Sequence, residues 1–493
     1  MPQAPALSPA PSSVLTREIL GRLEALGIRL GLERMRGLLA ALGGPQLRFP
    51  AVLVAGSNGK GSTSALLAAM ASAAGYRTGL YTSPHLETVE ERLRIDGLAI
   101  GAERLGELLQ EVVSCAERRL GDSPTYFEAL TAAAFLWFAA EGVDLAVVEV
   151  GLGGRLDATN TCEPMLSLIT SISLEHREVL GDTLTAIARE KAGVLRAGRP
   201  ALSWVEDPEA AAALRAAAAA LGAGLRPAES EVTIVAAGAI AADRRPGGDG
   251  RPGEDGLEGG QGWDAQRVTL VTPLARRELE IRLLGRHQAH NLGLATRAAE
   301  LLAASGFPAL DGRALAAGAA ACRWPGRAEV VAIPGGRRVL LDAAHNAEGA
   351  AALGELLAGA GRRAGSLDLL FGVFADKDAG EMLGHLAPHA RHLIFTTAPS
   401  SRARPAEVLP ALLPPAAGGG DPTGDPSAAG TAAAPARARA GVLVEPAPAA
   451  ALARALELGA ETVVICGSVF LVGELRRLLR ERFGVPPPPT DLV

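Results

Sequence analysis

Short apolar runs alternate along this chain with long alanine- and leucine-rich stretches of helical spacing. Residues 52–55, 145–150 and 166–171 read as strands in the first half, and a short strand precedes Ser83. Residues 339–341, 367–371, 392–395 and 462–465 do so in the second half. Such runs suit strands covered by helices, and the alternation predicts an α/β fold on two parallel sheets. The punctuated stretch Cys322-Arg-Trp-Pro-Gly-Arg327 disfavours helix continuation and reads as a hinge. The expected boundary lies just before it, giving domains 1–321 and 322–493.

The first run breaks at Gly56-Ser-Asn-Gly-Lys-Gly-Ser62, and an alanine-rich helical pattern follows. A backbone that wraps a polyphosphate needs glycines so that its N–H groups can approach. It also needs a lysine as a mobile cation, a hydroxyl for Mg²⁺ and a helix N-terminus behind the turn. Gly56, Gly59, Lys60, Gly61 and Ser62 supply these, with Asn58 in the same turn. The common spacing G-x-x-x-x-G-K-[ST] is not kept, because Val54 stands where its first glycine belongs and Gly61 follows the lysine directly. That departure points to a particular branch of nucleotide-binding enzymes. The competing interpretation is a glycine turn with a surface lysine.

A chain of 493 residues is long enough for two domains with separate cores. A net charge of −6 and 3% aromatic residues disfavour a nucleic-acid partner and point to a small one. Cys115, Cys162, Cys322 and Cys466 are scattered singly, which fits neither a disulfide framework nor a zinc site. With no signal-peptide pattern and no long apolar span, the expectation is a soluble cytoplasmic protein without a membrane partner. Residues 244–262 and 414–440 are rich in Gly, Pro, Ala and acidic side chains and read as mobile surface insertions without chemistry.

Ligands in open α/β sheets sit beyond the carboxyl ends of strands. Glu149 ends one run and is followed by Gly151-Leu-Gly-Gly154, Arg155 and Asp157, so it is placed to reach a nucleotide's metal. Alone, it reads equally well as a buried structural acceptor. His176 falls beyond the next strand, where an imidazole can join a carboxylate on a divalent cation. Lys191, beside Glu190 on a helical pattern, reads by default as a solvated ion-pairing lysine. Ser83-Pro-His85 is a rigid turn suited to a site mouth, and Tyr126 and Phe127 open a helix where they can stack a flat heterocycle or serve as core.

Several further motifs occur in order: Glu190-Lys-Ala-Gly193, His287-Gln288 with Asn291, Trp324-Pro-Gly-Arg327, Leu341-Asp-Ala-Ala-His-Asn346, Asp376-Lys-Asp378 and Gly467-Ser468 with Leu471-Val-Gly-Glu474. With the phosphate loop and the clusters at Ser83, Tyr126 and Glu149, the chain closely resembles the folylpolyglutamate synthase and dihydrofolate synthase family, a branch of the Mur ligases. The resemblance runs from about residue 15 to 482.

The resemblance implies a P-loop NTPase-like Mur ligase ATP-binding domain followed by a Rossmann-like α/β domain. It implies an ATP-dependent ligase that joins L-glutamate to dihydropteroate or to reduced folates through an acyl phosphate, with both activities expected in one chain. Lys60, Lys191 and His345 are implied to be catalytic, and Asn291, Arg327, Asp342 and His345 to contact ATP as the second domain closes over it. Mg²⁺ is implied on Ser83, Glu149 and His176, with Ser62 and a carbamylated Lys191 as further ligands. The pterin is implied near Thr125, Tyr126, Phe127, Glu128, Leu156, Asp157 and Ala158. Asp376, Lys377, Ser401, Arg402 and Ser468 are expected to help bind glutamate, and a monomer is expected by family analogy. Ser57, Glu175 and Ala343 stand where the family usually has threonine, aspartate and glycine. The remaining alternatives are a Mur-type ligase for another acceptor and an ATP-binding switch without catalysis.

Overall fold

The computed structural model describes residues 13–27, 29–239, 263, 265–359, 367–414 and 441–484. The expected insertion at 244–262, and that at 414–440 apart from Pro414, lie outside the described residues. The chain divides between Pro325 and Gly326, inside the punctuated stretch and slightly later than the expected boundary.

The first unit is built on eight strands: β1 (Ala51–Ala55), β2 (Thr78–Tyr81), β3 (Leu93–Ile95), β4 (Leu98–Ala99), β5 (Leu145–Glu149), β6 (Pro164–Ile169), β7 (Pro200–Ser203) and β8 (Gly224–Pro227). They order as β4-β3-β2-β5-β1-β6-β7-β8. All neighbours are parallel except the β2–β3 and β3–β4 pairs. Every residue of β1 is buried. Its alternate side chains feed two cores, Ala51, Leu53 and Ala55 on one face and Val52 and Val54 on the other. Helices Ala102–Leu120 and Tyr126–Glu141 cover the first face, and Lys60–Ala73 and Arg286–Ala303 the second.

The same unit carries a three-stranded antiparallel sheet, β9 (Thr233–Ala239), β10 (Gln266–Val271) and β11 (Arg276–Ile281). The expectation of two sheets is therefore corrected to three. β10 shows why it forms: alternate residues are buried, the period of a sheet with one covered face. The second unit holds β12 (Glu329–Ile333), β13 (Arg337–Leu341), β14 (Leu367–Phe371), β15 (Ala390–Phe395), β16 (Gly441–Val444) and β17 (Thr462–Cys466) in the order β12-β13-β17-β14-β15-β16. Only β12 is antiparallel to its neighbour. Among the described residues no helix is long and apolar enough to cross a membrane.

Candidate active site

The loop after β1 is held open by backbone that only glycine accepts without strain. Gly56 has φ +146° and Gly59 has φ +87°. A Cβ on Gly56 would lie 2.0 Å from Thr170 Oγ1, and one on Gly59 would lie 2.4 Å from Asn291 Oδ1. The segment after β6 braces the turn: Ser57 N donates to Ser171 O (2.9 Å) and Asn58 N to Ser171 Oγ (2.9 Å). Thr170 Oγ1 donates to Asn58 O (2.6 Å), and Ser173 N donates to Ser57 Oγ (2.9 Å). Lys60 Nζ folds back onto the same loop, donating to Gly56 O (2.9 Å) and Ser57 O (2.8 Å). Gly61 and the buried Ser62 form the first turn of the helix that follows. Asn291 joins this helix by accepting from Thr63 Oγ1 at 3.3 Å, and its Nδ2 donates to Gln288 at 2.9 Å.

Lys191 is not solvated. It is 1% exposed, and its Nζ donates to Gly56 O at 2.8 Å and pairs with Glu175 Oε1 at 3.0 Å. Burial alone would push the Glu175 carboxyl up, but Lys60 and Lys191 outweigh it and hold the group at about 2. Glu149, at the end of β5 and 4% exposed, accepts from Ser83 N at 3.1 Å. Ser83 begins the turn after β2, and its peptide bond to Pro84 is cis. His176 takes a left-handed conformation, φ +48°, in the segment that follows β6.

At the aromatic end, Phe127 lies 6.0 Å from the Tyr81 ring, and a Cβ on Gly151 would lie 2.5 Å from its edge. Tyr126 carries the Arg92 guanidinium over its ring, 5.3 Å from the centroid. Thr125 and Glu128 form a capping box, Thr125 N donating to Glu128 Oε2 (2.9 Å) and Glu128 N to Thr125 Oγ1 (3.2 Å). Glu128 also pairs with Arg34 at 2.9 Å. Asp157 Oδ2 accepts from Leu152 N (2.8 Å), and its Oδ1 accepts from Thr159 N (3.0 Å). Burial nevertheless leaves its carboxyl above the usual range. Thr125, Glu128 and Asp157 thus have local structural duties, and Leu156 and Ala158 flank Asp157, the carbonyl of Ala158 accepting from Thr161 Oγ1 at 2.7 Å.

In the second unit, burial raises the Asp342 carboxyl while nearby Arg327 and the N–H groups of Ala328 and Ala344, both at 2.8 Å, draw it down. His345 Nδ1 lies 2.9 Å from Ala343 O. Lys377 pairs with Asp376 at 3.1 Å, and Arg402 lies 3.7 Å from Asp376 while covering the Phe374 ring. Ser401 is exposed. Ser468, after β17, is 2% exposed, and its Oγ is buried without a hydrogen-bond partner among the described residues.

Two family models match in sequence order, the Mur ligase middle domain over residues 54–299 and the Mur ligase glutamate ligase domain over 326–469. The Bacillus subtilis protein named dihydrofolate synthase/folylpolyglutamate synthase is 35% identical over 79% of this chain and 86% of its own length. The chain belongs to the dihydrofolate synthase/folylpolyglutamate synthase family. A Haloferax volcanii relative, named a probable bifunctional folylpolyglutamate synthase/dihydropteroate synthase, is also 35% identical over 79% of this chain. The match spans 44% of that protein, so this chain covers less than half of its length. The structure of E. coli FolC with DHPP and ADP is similar at 27% identity and a TM-score of 0.75, covering 97% of this chain and all of that one. Mycobacterium tuberculosis folylpolyglutamate synthase with ADP gives 29% and 0.74, covering 94% and 98%. Family membership makes this protein an ATP-dependent ligase.

Two residues of this family member escaped the sequence reading. Arg92 lies in the charged run Val89-Glu-Glu-Arg92, which carries no motif, yet it is 8% exposed where β3 pairs with β2. Trp324 reads as part of a hinge and of a family motif but with no contact assigned, and a Cβ on Gly61 would lie 3.1 Å from its Nε1, so the indole packs on the first turn behind the glycine loop.

Proposed function

We propose that this protein uses ATP to join L-glutamate to dihydropteroate and to reduced folates, acting as both dihydrofolate synthase and folylpolyglutamate synthase. The observation that carries this reading is the braced glycine loop at the end of β1 beside a buried carboxylate, Glu149, at the end of the adjacent β5. A carboxylate is a poor acylating agent because oxide would be its leaving group. It therefore attacks the γ-phosphoryl of ATP first, giving an acyl phosphate and ADP. The α-amine of glutamate then displaces phosphate through a tetrahedral intermediate. Phosphoryl transfer needs positioning and charge neutralisation more than covalent help from the protein. Lys60 and the loop amides would supply both for ATP.

Among the described residues no three of His, Cys, Asp and Glu converge as a ready metal cluster. Mg²⁺ asks for less, one or two carboxylates beside phosphate and water oxygens. The contact between Glu149 and the Ser83 backbone fits that demand. Ser83, Glu149 and His176, with Ser62, would hold the ion, which when bound neutralises developing phosphate charge. Carbamylation of Lys191 would turn its pair with Glu175 into two anions and so requires a cation between them. Asn291, Arg327, Asp342 and His345 as ATP contacts, and Asp376, Lys377, Ser401, Arg402 and Ser468 as glutamate contacts, belong to the same proposal. So do a monomeric state, a cytoplasmic location and the absence of nucleic-acid and membrane partners.

The test is glutamate-dependent ADP release with Mg-ATP, comparing 7,8-dihydropteroate with a tetrahydrofolate and identifying products by mass. Turnover with both acceptors is expected. Turnover with one assigns a single activity, and turnover with neither overturns the folate reading.

A further inference from the structure

Among the described residues, buried arginines are answered by carboxylate or carbonyl oxygens, with Arg92 the exception. Arg476, 2% exposed, is held by both carboxylate oxygens of Glu329. Arg297, 6% exposed, pairs with Glu231 and Glu300. Arg94, equally buried, donates to the carbonyl oxygens of Glu91 and Gly97. Arg92 is 8% exposed, and among the described residues its side chain makes a single hydrogen bond, from Nε to His85 Nδ1 at 3.0 Å. No carboxylate of the described residues forms an ion pair with it. Glu24 and Glu90 act electrostatically on the neighbouring Tyr126 phenol without pairing with Arg92. A cation withdrawn from water without a paired carboxylate is costly, a cost that an anionic ligand would offset.

Its position says which anion. Arg92 O accepts from Thr82 N at 3.0 Å, which fixes the residue beside the Ser83-Pro-His85 turn. On that side Ser83 N meets the Glu149 carboxylate, and His85 is tethered to Arg92 itself. On the other side the guanidinium lies over Tyr126, whose neighbour Phe127 packs against Tyr81. Arg92 therefore stands between the proposed metal-binding turn and the proposed pterin platform. An acceptor whose ring is at one end and whose reacting group must meet the γ-phosphoryl at the other has its carboxylate in this interval.

We propose that Arg92 binds the carboxylate of the pteroyl or folyl acceptor, the group that becomes phosphorylated. A guanidinium presents a planar fork that matches a carboxylate, and the Tyr126 ring and the bond to His85 restrain it beforehand. Its charge also offsets the repulsion between a carboxylate and the polyphosphate it must approach. The assignment rests on the folate reading given above.

The test is direct binding, without turnover, of dihydropteroate and of the analogue in which its carboxylate is a carboxamide. Wild type, Arg92→Met and Arg92→Lys are compared, with Mg-ATP binding measured in parallel. Wild type is expected to prefer the carboxylate. Arg92→Met should weaken the carboxylate ligand by about tenfold or more, the scale of a lost charged hydrogen bond, and leave the amide unchanged. Arg92→Lys should restore part of the preference, which serves as the test if the methionine variant does not fold. A carboxylate preference that survives in both variants overturns the assignment. Loss of Mg-ATP affinity with acceptor binding intact assigns Arg92 to phosphate and also overturns it. Wild type that binds neither pterin ligand overturns the folate reading itself.

Discussion

The Nζ of Lys191 lies 2.8 Å from the carbonyl oxygen of Gly56, so a lysine from helix Leu184–Ala192 donates directly into the phosphate loop. The same nitrogen pairs with Glu175 at 3.0 Å, and the amine is almost fully buried. Breaking one partner of such a pair leaves the other charge stranded. Lys191→Met should cost about 3 kcal/mol of stability. Adding Glu175→Gln should return part of that loss, as read from urea unfolding of the single and double variants.

Gly59 makes a second, sharper point about the loop. Its φ of +87° and the 2.4 Å approach of Asn291 Oδ1 to a built Cβ leave no room for alanine. Gly59→Ala should abolish measurable ADP binding by calorimetry. The left-handed strain alone, about 1–2 kcal/mol, accounts for about a tenfold loss, and the clash with Asn291 for the remainder.

The capping box separates stability from recognition at the aromatic helix. Thr125→Ala should destabilise the protein by about 1 kcal/mol, and Thr125→Ser should restore most of it, in thermal or urea unfolding. A pterin affinity that falls in the serine variant as well would show that the threonine methyl touches ligand.

The cysteines offer a check on packing. All four are free and buried. Burial pushes the Cys162 and Cys322 thiols up to about 12, and Cys466 well above its ordinary value. At pH 8 the thiolate fraction at Cys162 and Cys322 is about one in ten thousand, so neither should react with iodoacetamide in the native state. Labelling should become complete in denaturant and rise with pH below the unfolding point. Rapid native labelling of Cys162 would contradict its complete burial at the end of the turn that Asp157 begins.

Much of the first unit was legible because its signals are local. Positions 51–55 are apolar without break and meet a glycine turn and then an alanine-rich helix, so strand, loop and helix N-terminus follow from neighbours in sequence. Glu149 was visible for the same reason, as a carboxylate at the end of an apolar run. Lys191 entered only through the family resemblance, and its burial was not legible, since the acceptors that bury it come from residues 56 and 175, which pattern alone does not bring to it. Arg92 was hidden in charged company that only the β2–β3 pairing turns inward. The third sheet escaped because β10 and β11 are polar on one face and carry the alternation of an antiparallel sheet, not the continuous runs of a parallel one.

Lys60 has a further consequence. In this structure its ammonium satisfies two carbonyls of its own loop, Gly56 and Ser57. On the proposed reading, nucleotide recognition would be an exchange reaction, in which phosphate oxygens replace backbone oxygens around one cation, and the loop would discriminate by how much anionic density a ligand concentrates there. A triphosphate would then draw that ammonium from two carbonyls, whereas a weakly charged metabolite would leave it with them.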